Sequence, residues 1–362
     1  MSRLFPRPIK RIVIKLGSSV IATYRMKPRK ARLRSLVDQI CSVVGGGVDV
    51  VVVSSGAIVL GMGELNRRTR ASDLPSLQTL AAIGQIKLMN EYTTLFKRNK
   101  KMCAQVLLTW DDFDNRHRFN NARTTLNKMF DWGIVPVINE NDAISTDEIR
   151  FGDNDRLSAL VASLVHADLL LILSDVEGFY DLSGKKKKIL EEIKDVTPEI
   201  INLARPTQNK QMAKGGMISK LDAVKIATHA KVPCIIAHGE TEDVLLRVLK
   251  GERIGTLFVE KEDRLLSRKH WISFGAKPKG VLVVDEGAKK ALQKGGVSLL
   301  LPGVVAWEGN FKKNDVVVVS DQSRHEIARG IVNYASIDLN KIEDKKGKPE
   351  AIHCNNMVLG ER

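Results

Sequence analysis

The sequence predicts an α/β protein: a three-layer αβα sandwich with a mostly parallel central sheet, followed by a small, mostly-β second domain. Three observations predict it. Short β-branched runs alternate with longer helical patterns over the first two-thirds of the 362 residues, as in a sheet flanked by helices. Several of those runs are apolar throughout, as expected of strands buried on both faces. Around residues 251–277 the style changes to short strand-like pieces punctuated by glycines.

The elements follow in order. Arg11 to Leu16 is an apolar strand ending in Gly17-Ser18-Ser19. Ala31 to Val44 has helical spacing and stops at Gly45-Gly46-Gly47, a good helix stop. Val48 to Val53 is a nearly unbroken valine run, followed by Ser54-Ser55-Gly56 and helical material to about Leu65. Ser76 to Lys97 reads as a long amphipathic helix, Ala104 to Leu108 as a strand, Asn120 to Phe130 as a helix and Ile134 to Ile138 as a strand. Leu157 to His166 is a helix, Leu169 to Leu173 a fully apolar strand, Gly216 to His229 a helix and Cys234 to Ala237 a strand. The second domain has strand-like pieces at Gly280–Val284, Gly303–Ala306, Val316–Ser320 and Glu326–Asn333, and a charged, exposed stretch at 341–348. The expected division is 1–262 for the large domain, 263–276 for a linker and 277–362 for the small domain.

Composition narrows the function classes. The 43% hydrophobic content and the length suit one large domain plus a small one. No apolar run reaches the roughly 20 residues that span a bilayer, and the start carries no secretory signal. The default expectation is a soluble, cytoplasmic protein with no membrane partner. Cys41, Cys103, Cys234 and Cys354 are far apart and form no CxxC pair, which disfavours zinc, redox and disulfide roles. Cys103 and Cys234 adjoin apolar runs and read as buried thiols. The net charge of +15 attracts anions, nucleotides and nucleic acid alike. Lys185 to Lys188 is the one tight basic run and reads as an exposed turn.

Open α/β sheets bind ligands at the carboxyl ends of their strands, so the residues there carry the chemistry. They are Lys15 with Gly17-Ser18-Ser19; Ser54-Ser55-Gly56-Ala57; Asn139-Glu140-Asn141-Asp142, then Gly152-Asp153-Asn154-Asp155; Ser174-Asp175; and Lys214-Gly215-Gly216-Met217 with Lys220 one turn on. The glycines let backbone N–H groups approach phosphate oxygens. Gly215-Gly216 also precedes a helix, whose N-terminus favours anions. Lys15 and Lys220 could neutralise charge on a transferring phosphoryl group. Asn139, Asp142, Asp153 and Asn154 offer amides and carboxylates suited to an amino acid. Asp155 could hold both lysines by ion pairing.

Each motif has a plainer reading. Asp153 to Asp155 serves equally as a helix N-cap, and Gly215-Gly216 as an ordinary turn. Neither GxxxxGK[ST] nor a GxGxxG after a strand occurs. The case rests on all these residues sharing one sheet edge.

The stretches from Val13 to Ser19, Ser54 to Ile58, Ile134 to Asp142, Gly152 to Asp155, Ser174 to Tyr180, and Gly215 to Lys220 resemble the amino acid kinase family, and within it the glutamate 5-kinases. Arg268 to Ile272 and the β-rich tail resemble the linker and PUA domain found on many bacterial members. The resemblance implies the amino acid kinase fold and transfer of the ATP γ-phosphate, with Mg²⁺, to the L-glutamate γ-carboxylate, the first step of proline synthesis. It implies Lys15 and Lys220 at the phosphoryl group, with Asp155 organising them. It implies Ser55, Asn139, Asp142, Asp153 and Asn154 around glutamate. Lys15, Gly17, Ser174, Asp175, Gly215, Gly216, Met217 and Lys220 would lie by the nucleotide, with no protein metal ligands beyond Mg²⁺ carried by ATP. It further implies proline as feedback inhibitor, a homo-oligomer (dimer or tetramer), a glutamyl-phosphate reductase partner, and RNA as a possible ligand of the PUA-like domain. One departure is Lys214, where the family has threonine.

Two other readings stay open: a related kinase acting on aspartate, N-acetylglutamate or carbamate, and RNA binding through the tail. Lys277, Lys279, Lys312, Lys313, Arg324 and Arg329 motivate the second. Interleaved acidic residues and few aromatics (Phe274, Trp307, Phe311, Tyr334) weigh against it.

Overall fold

A computed structural model describes residues 3, 5, 7–69, 71–144, 154–181, 188–204, 216–261, 269, 271–341 and 347–360. The chain divides into two compact units, one of Met1–Asp112 with Arg116–Arg264, the other of Phe113–Asn115 with Leu265–Arg362.

The first unit is built on strands β1 (Arg11–Leu16), β2 (Asp49–Ser54), β3 (Met102–Leu108), β4 (Ile134–Glu140), β5 (Leu169–Ser174), β6 (Tyr180–Asp181), β7 (Lys188–Ile189), β8 (Glu192–Ile193), β9 (Cys234–His238) and β10 (Thr256–Phe258). Its helices are α1 (Ser18–Ile21), α2 (Lys30–Gly45), α3 (Ala57–Glu64), α4 (Leu74–Arg98), α5 (Trp110–Asp114, whose last two residues go with the second unit), α6 (Arg116–Asp131), α7 (Asn154–Leu164), α8 (Pro198–Leu203), α9 (Gly216–His229) and α10 (Val244–Leu249). Eight strands form one sheet in the order β3-β4-β2-β1-β5-β9-β10-β8. All pairs are parallel except β9 with β10.

The strands that read as continuous apolar runs are the buried ones. Every residue of Leu169–Ser174 is buried, as are Val50 to Ser54. Helices on both faces require this. Successive side chains alternate between the faces. Ile12, Ile14 and Leu16 therefore share a core with Leu33, Leu36 and Tyr92 of α2 and α4. Lys15 falls on the other face, where α7 brings Asp155.

Two close approaches set the helix layer next to the site. Gly56 follows β2 with φ of 104°, and a Cβ there would lie 2.9 Å from Ile21 Cγ2. Gly84 of α4 lies so near α3 that a Cβ would stand 1.7 Å from the Ala57 carbonyl oxygen. Helix α4 is capped by Asp73, whose side chain accepts from Ser76 N–H at 2.9 Å, with Pro75 in the first turn.

The elements differ from the sequence reading mainly at their ends and in short pieces. Helix α7 starts at Asn154 rather than Leu157, and α6 at Arg116 rather than Asn120. Helix α10, the antiparallel β10 and the two-residue strands β6 to β8 have no counterpart in the sequence reading. They are too short for a periodic pattern to emerge.

The second unit is a five-stranded sheet of β11 (Gly280–Val284), β12 (Val304–Gly309), β13 (Val316–Ser320), β14 (Glu326–Ile331) and β15 (Met357–Leu359), in the order β12-β11-β13-β14-β15. Its core includes Leu282, Val317, Val319, Ala328 and Ile352. The sequence reading lacks β15 and the helix Glu286–Gln293, which Asp285 caps by accepting from Ala288 N–H at 2.7 Å. Phe311 is 1% exposed, so it packs the core and offers no face to a base.

Candidate active site

The registers bring the strand ends to one edge. Leu16 pairs with both Ser54 and Leu173, Val53 with Ile138, and Ser174 with His238. Gly17, Ser55, Glu140 and Asp175 therefore lie just at or beyond neighbouring carboxyl ends. Gly17 N–H donates to Leu173 O at 2.9 Å, and Ser55 N–H to Leu16 O at 3.0 Å. A Cβ on Gly17 would come within 3.3 Å of Leu173 O, so the turn after β1 is tight.

Three ionisable groups meet below this edge. Lys15 of β1 is ion-paired with Asp155 Oδ1. Lys220 of α9 donates to Asp155 Oδ2 at 2.9 Å and to Gly216 O at 3.2 Å. All three side chains are at most 10% exposed. Burial alone pushes the Asp155 pKa up, but the two ammoniums outweigh it and hold the carboxyl at about 2. Two ammoniums against one carboxylate leave one positive charge, suited to an anion.

Beside the ion cluster lies an amide cluster. Asn154 Nδ2 donates to Ser54 O at 3.1 Å, Ser55 Oγ at 3.0 Å and Asn139 Oδ1 at 2.8 Å. Asn139 Oδ1 also accepts from Glu140 N–H at 2.9 Å, and its Nδ2 donates to Gln85 Oε1 at 2.9 Å. Tyr92 closes the cluster from α4 with its hydroxyl 2.9 Å from Ser54 Oγ.

Lys15, Asp155 and Lys220 are thus joined in one cluster, and Ser55, Asn139 and Asn154 in a second. Asp155 and Asn154 sit inside the first turn of α7 with their side chains engaged across the sheet, so neither acts only as a cap. Gly17 and Ser174 are buried at the same edge, Met217 and Asp142 half-buried, and Asp175 and Gly216 exposed. Asp153, Gly215 and Lys214 lie outside the described residues, as do Lys185 to Lys187. Gln85, Gln105 and Tyr92 were missed by the sequence reading. They are polar positions on an otherwise ordinary helix and strand, and only the partner each one meets reveals its role.

Paired lysines bridged by a carboxylate at the carboxyl edge of a mostly parallel sheet suit phosphoryl transfer, which needs positioning and charge more than covalent chemistry. Residues 10–238, more than half of the chain, match the amino acid kinase family, and residues 280–353 match the PUA domain. The chain belongs to the amino acid kinase family, a family of phosphotransferases, and carries a C-terminal PUA domain. It is 43% identical to glutamate 5-kinase of Thermoanaerobacter sp. (strain X514), covering 97% of this chain and 98% of that one. It is 40% identical to the glutamate 5-kinase of Dictyoglomus turgidum (98% of each chain) and 39% identical to that of Methylococcus capsulatus (97% of each). A solved UMP kinase from Bacillus anthracis is similar at a TM-score of 0.48 and 17% identity, over 72% of this chain and all of that one. No described helix is long and apolar enough to cross a membrane.

Proposed function

We propose that the protein transfers the γ-phosphate of ATP to the side-chain carboxylate of L-glutamate, forming γ-glutamyl 5-phosphate and ADP. The observation that carries this reading is Asp155 held between Lys15 and Lys220 beside the Asn154–Asn139–Ser55 cluster. A glutamate γ-carboxylate oxygen attacks the γ-phosphorus, and the bond to the ADP oxygen breaks. The Lys15 and Lys220 ammoniums offset the charge on the transferring group. Asp155 fixes where those ammoniums sit, and burial keeps water from screening them. Ser55, Asp142, Asp153 and Asn154 hold the amino acid, with Asn139 behind Asn154. Gly17, Ser174, Asp175, Gly215, Gly216 and Met217 lie along the nucleotide.

Mg²⁺ comes with ATP in this reading. The described residues fit that role: Lys15 and Lys220 bring ammoniums to the edge where the phosphates would lie. The ion would sit on phosphate oxygens and, when bound, neutralise part of their charge.

The product is a labile acyl phosphate, so a reductase partner consumes it on the way to proline. Proline then acts as feedback inhibitor near the glutamate site, in a homo-oligomer, dimer or tetramer. The test is hydroxylamine trapping of the acyl phosphate with ATP and Mg²⁺. Hydroxamate from glutamate but not aspartate, suppressed by proline, is the expected result. ATP turnover without glutamate hydroxamate overturns the substrate.

The PUA match favours RNA as a second ligand. The basic side chains are less available than the sequence implies. Arg324 pairs with Glu308, Arg329 with Glu326 and Lys279 with Asp114. Lys312 and Lys313 are exposed. Binding through them would weaken steeply with salt, and no gel shift at low salt would remove this role.

A further inference from the structure

The side-chain amides behind the amino acid site form a chain with one polarity, and backbone contacts at two of its members identify that polarity. Glu140 offers only its N–H to Asn139, so the Asn139 atom facing it at 2.9 Å is the oxygen. Ser54 offers only its carbonyl to Asn154, so the Asn154 atom facing it at 3.1 Å is the nitrogen. Asn154 therefore donates to Asn139 at 2.8 Å. Asn139 must then turn its nitrogen toward Gln85 Oε1 at 2.9 Å. Gln85 in turn directs its nitrogen at Gln105 Oε1, 2.8 Å away on edge strand β3. Every link donates toward the edge of the sheet.

We propose that Gln85 is a positioning residue for the amino acid substrate, holding Asn139 and through it Asn154 in the one orientation that leaves the Asn154 carbonyl oxygen for the substrate ammonium. Asn139 is 2% exposed and its oxygen already accepts two bonds, so it meets the substrate only through Asn154. Gln85 contributes the acceptor that Asn139 Nδ2 meets among the described residues. Gln105 is exposed and free to turn over, so it tolerates either end of residue 85. This inference rests on the amino acid site proposed above.

Three variants separate acceptor from donor. Gln85→Glu keeps an acceptor for Asn139, Gln85→Met removes it at similar length, and Gln85→Lys replaces it by a donor. The expected result is a KM for glutamate near wild type in Gln85→Glu. It rises about tenfold in Gln85→Met, the worth of one hydrogen bond, and further in Gln85→Lys. KM for ATP and kcat should stay within about twofold throughout, a split that general loss of structure would not give. Unchanged KM in the Met and Lys variants, or an equal rise in all three, overturns the proposal. Should either apolar or basic variant not fold, the remaining one against Gln85→Glu still decides. Solvent exchange of the Asn139 and Asn154 side-chain NH₂ protons, slow in wild type and Gln85→Glu and faster in Gln85→Met, reads the chain with no substrate present. That measurement stands even where wild type yields no glutamate hydroxamate, which would count against the substrate assignment alone.

Discussion

Lys220, one turn into α9, reaches Asp155 at the start of α7 across 2.9 Å. Neither side chain is more than 10% exposed. The contact ties two helices that flank the sheet to a single buried carboxylate. In the proposed reaction Lys220 meets charge that grows as the phosphoryl group transfers, so Lys220→Ala should lower kcat about 10² to 10³-fold. KM for glutamate should change by less than about threefold. Steady-state kinetics check this, and an unaltered kcat takes Lys220 out of the mechanism.

Asp155 also links stability to pH. Its folded pKa of about 2 lies below the ordinary carboxylate value, so its contribution is fully present above about pH 4 and is lost as pH falls through 2. That contribution is about 2 kcal/mol. Asp155→Asn takes the shared carboxylate away from two buried ammoniums and should cost about 3 to 5 kcal/mol at neutral pH. The gap to wild type should narrow between about pH 4 and 2. Urea unfolding across that range tests it, and a gap that stays constant with pH removes the carboxylate from the account.

Gly84 is where α4 touches α3. A methyl there would meet the Ala57 carbonyl at 1.7 Å, and backbone in a packed helix cannot step aside cheaply. The helix gain from replacing glycine, about 1 kcal/mol, should lose to overpacking. Gly84→Ala should therefore destabilise by about 2 kcal/mol net. It should also raise KM for glutamate, because α3 follows directly from Ser55-Gly56. A thermal midpoint equal to wild type would contradict this packing.

Tyr92 is wholly buried, and burial pushes its hydroxyl pKa up. Tyr92→Phe leaves Ser54 Oγ without that partner and should cost about 1 to 2 kcal/mol, with catalysis nearly intact. Denaturant midpoints measured beside kcat separate the two effects. A large loss of kcat at unchanged stability would give the hydroxyl a part in the chemistry.

The large features were legible because burial on both sides writes itself into composition. Val48 to Val53 and Leu169 to Leu173 can be little other than central strands, and Gly45-Gly46-Gly47 stops its helix as read. Lys15, Asp155 and Lys220 were legible as a set because each stands at a strand end or a helix start on the same edge. What the sequence hid is contact chosen by geometry. Gln85 looks like any polar residue of an amphipathic helix until Asn139 is seen to need an acceptor. The helix Val244–Leu249, under two turns long, and the three-residue strand β10 are too short for a period to repeat clearly. Phe311 looked available to a base because a lone aromatic among glycines and lysines carries no sign of which way it turns.

Cys234 is fully buried in β9, between β5 and β10, close enough to Asp155 for that carboxylate to help push the thiol pKa up. Cys103 and Cys354 are only half-buried. A maleimide or disulfide reagent added to the native enzyme should therefore modify those two first. Cys234 should react only in molecules whose central sheet has opened. Its labelling rate then serves as an internal clock for opening of the sheet that carries Lys15, readable by mass spectrometry without any introduced probe.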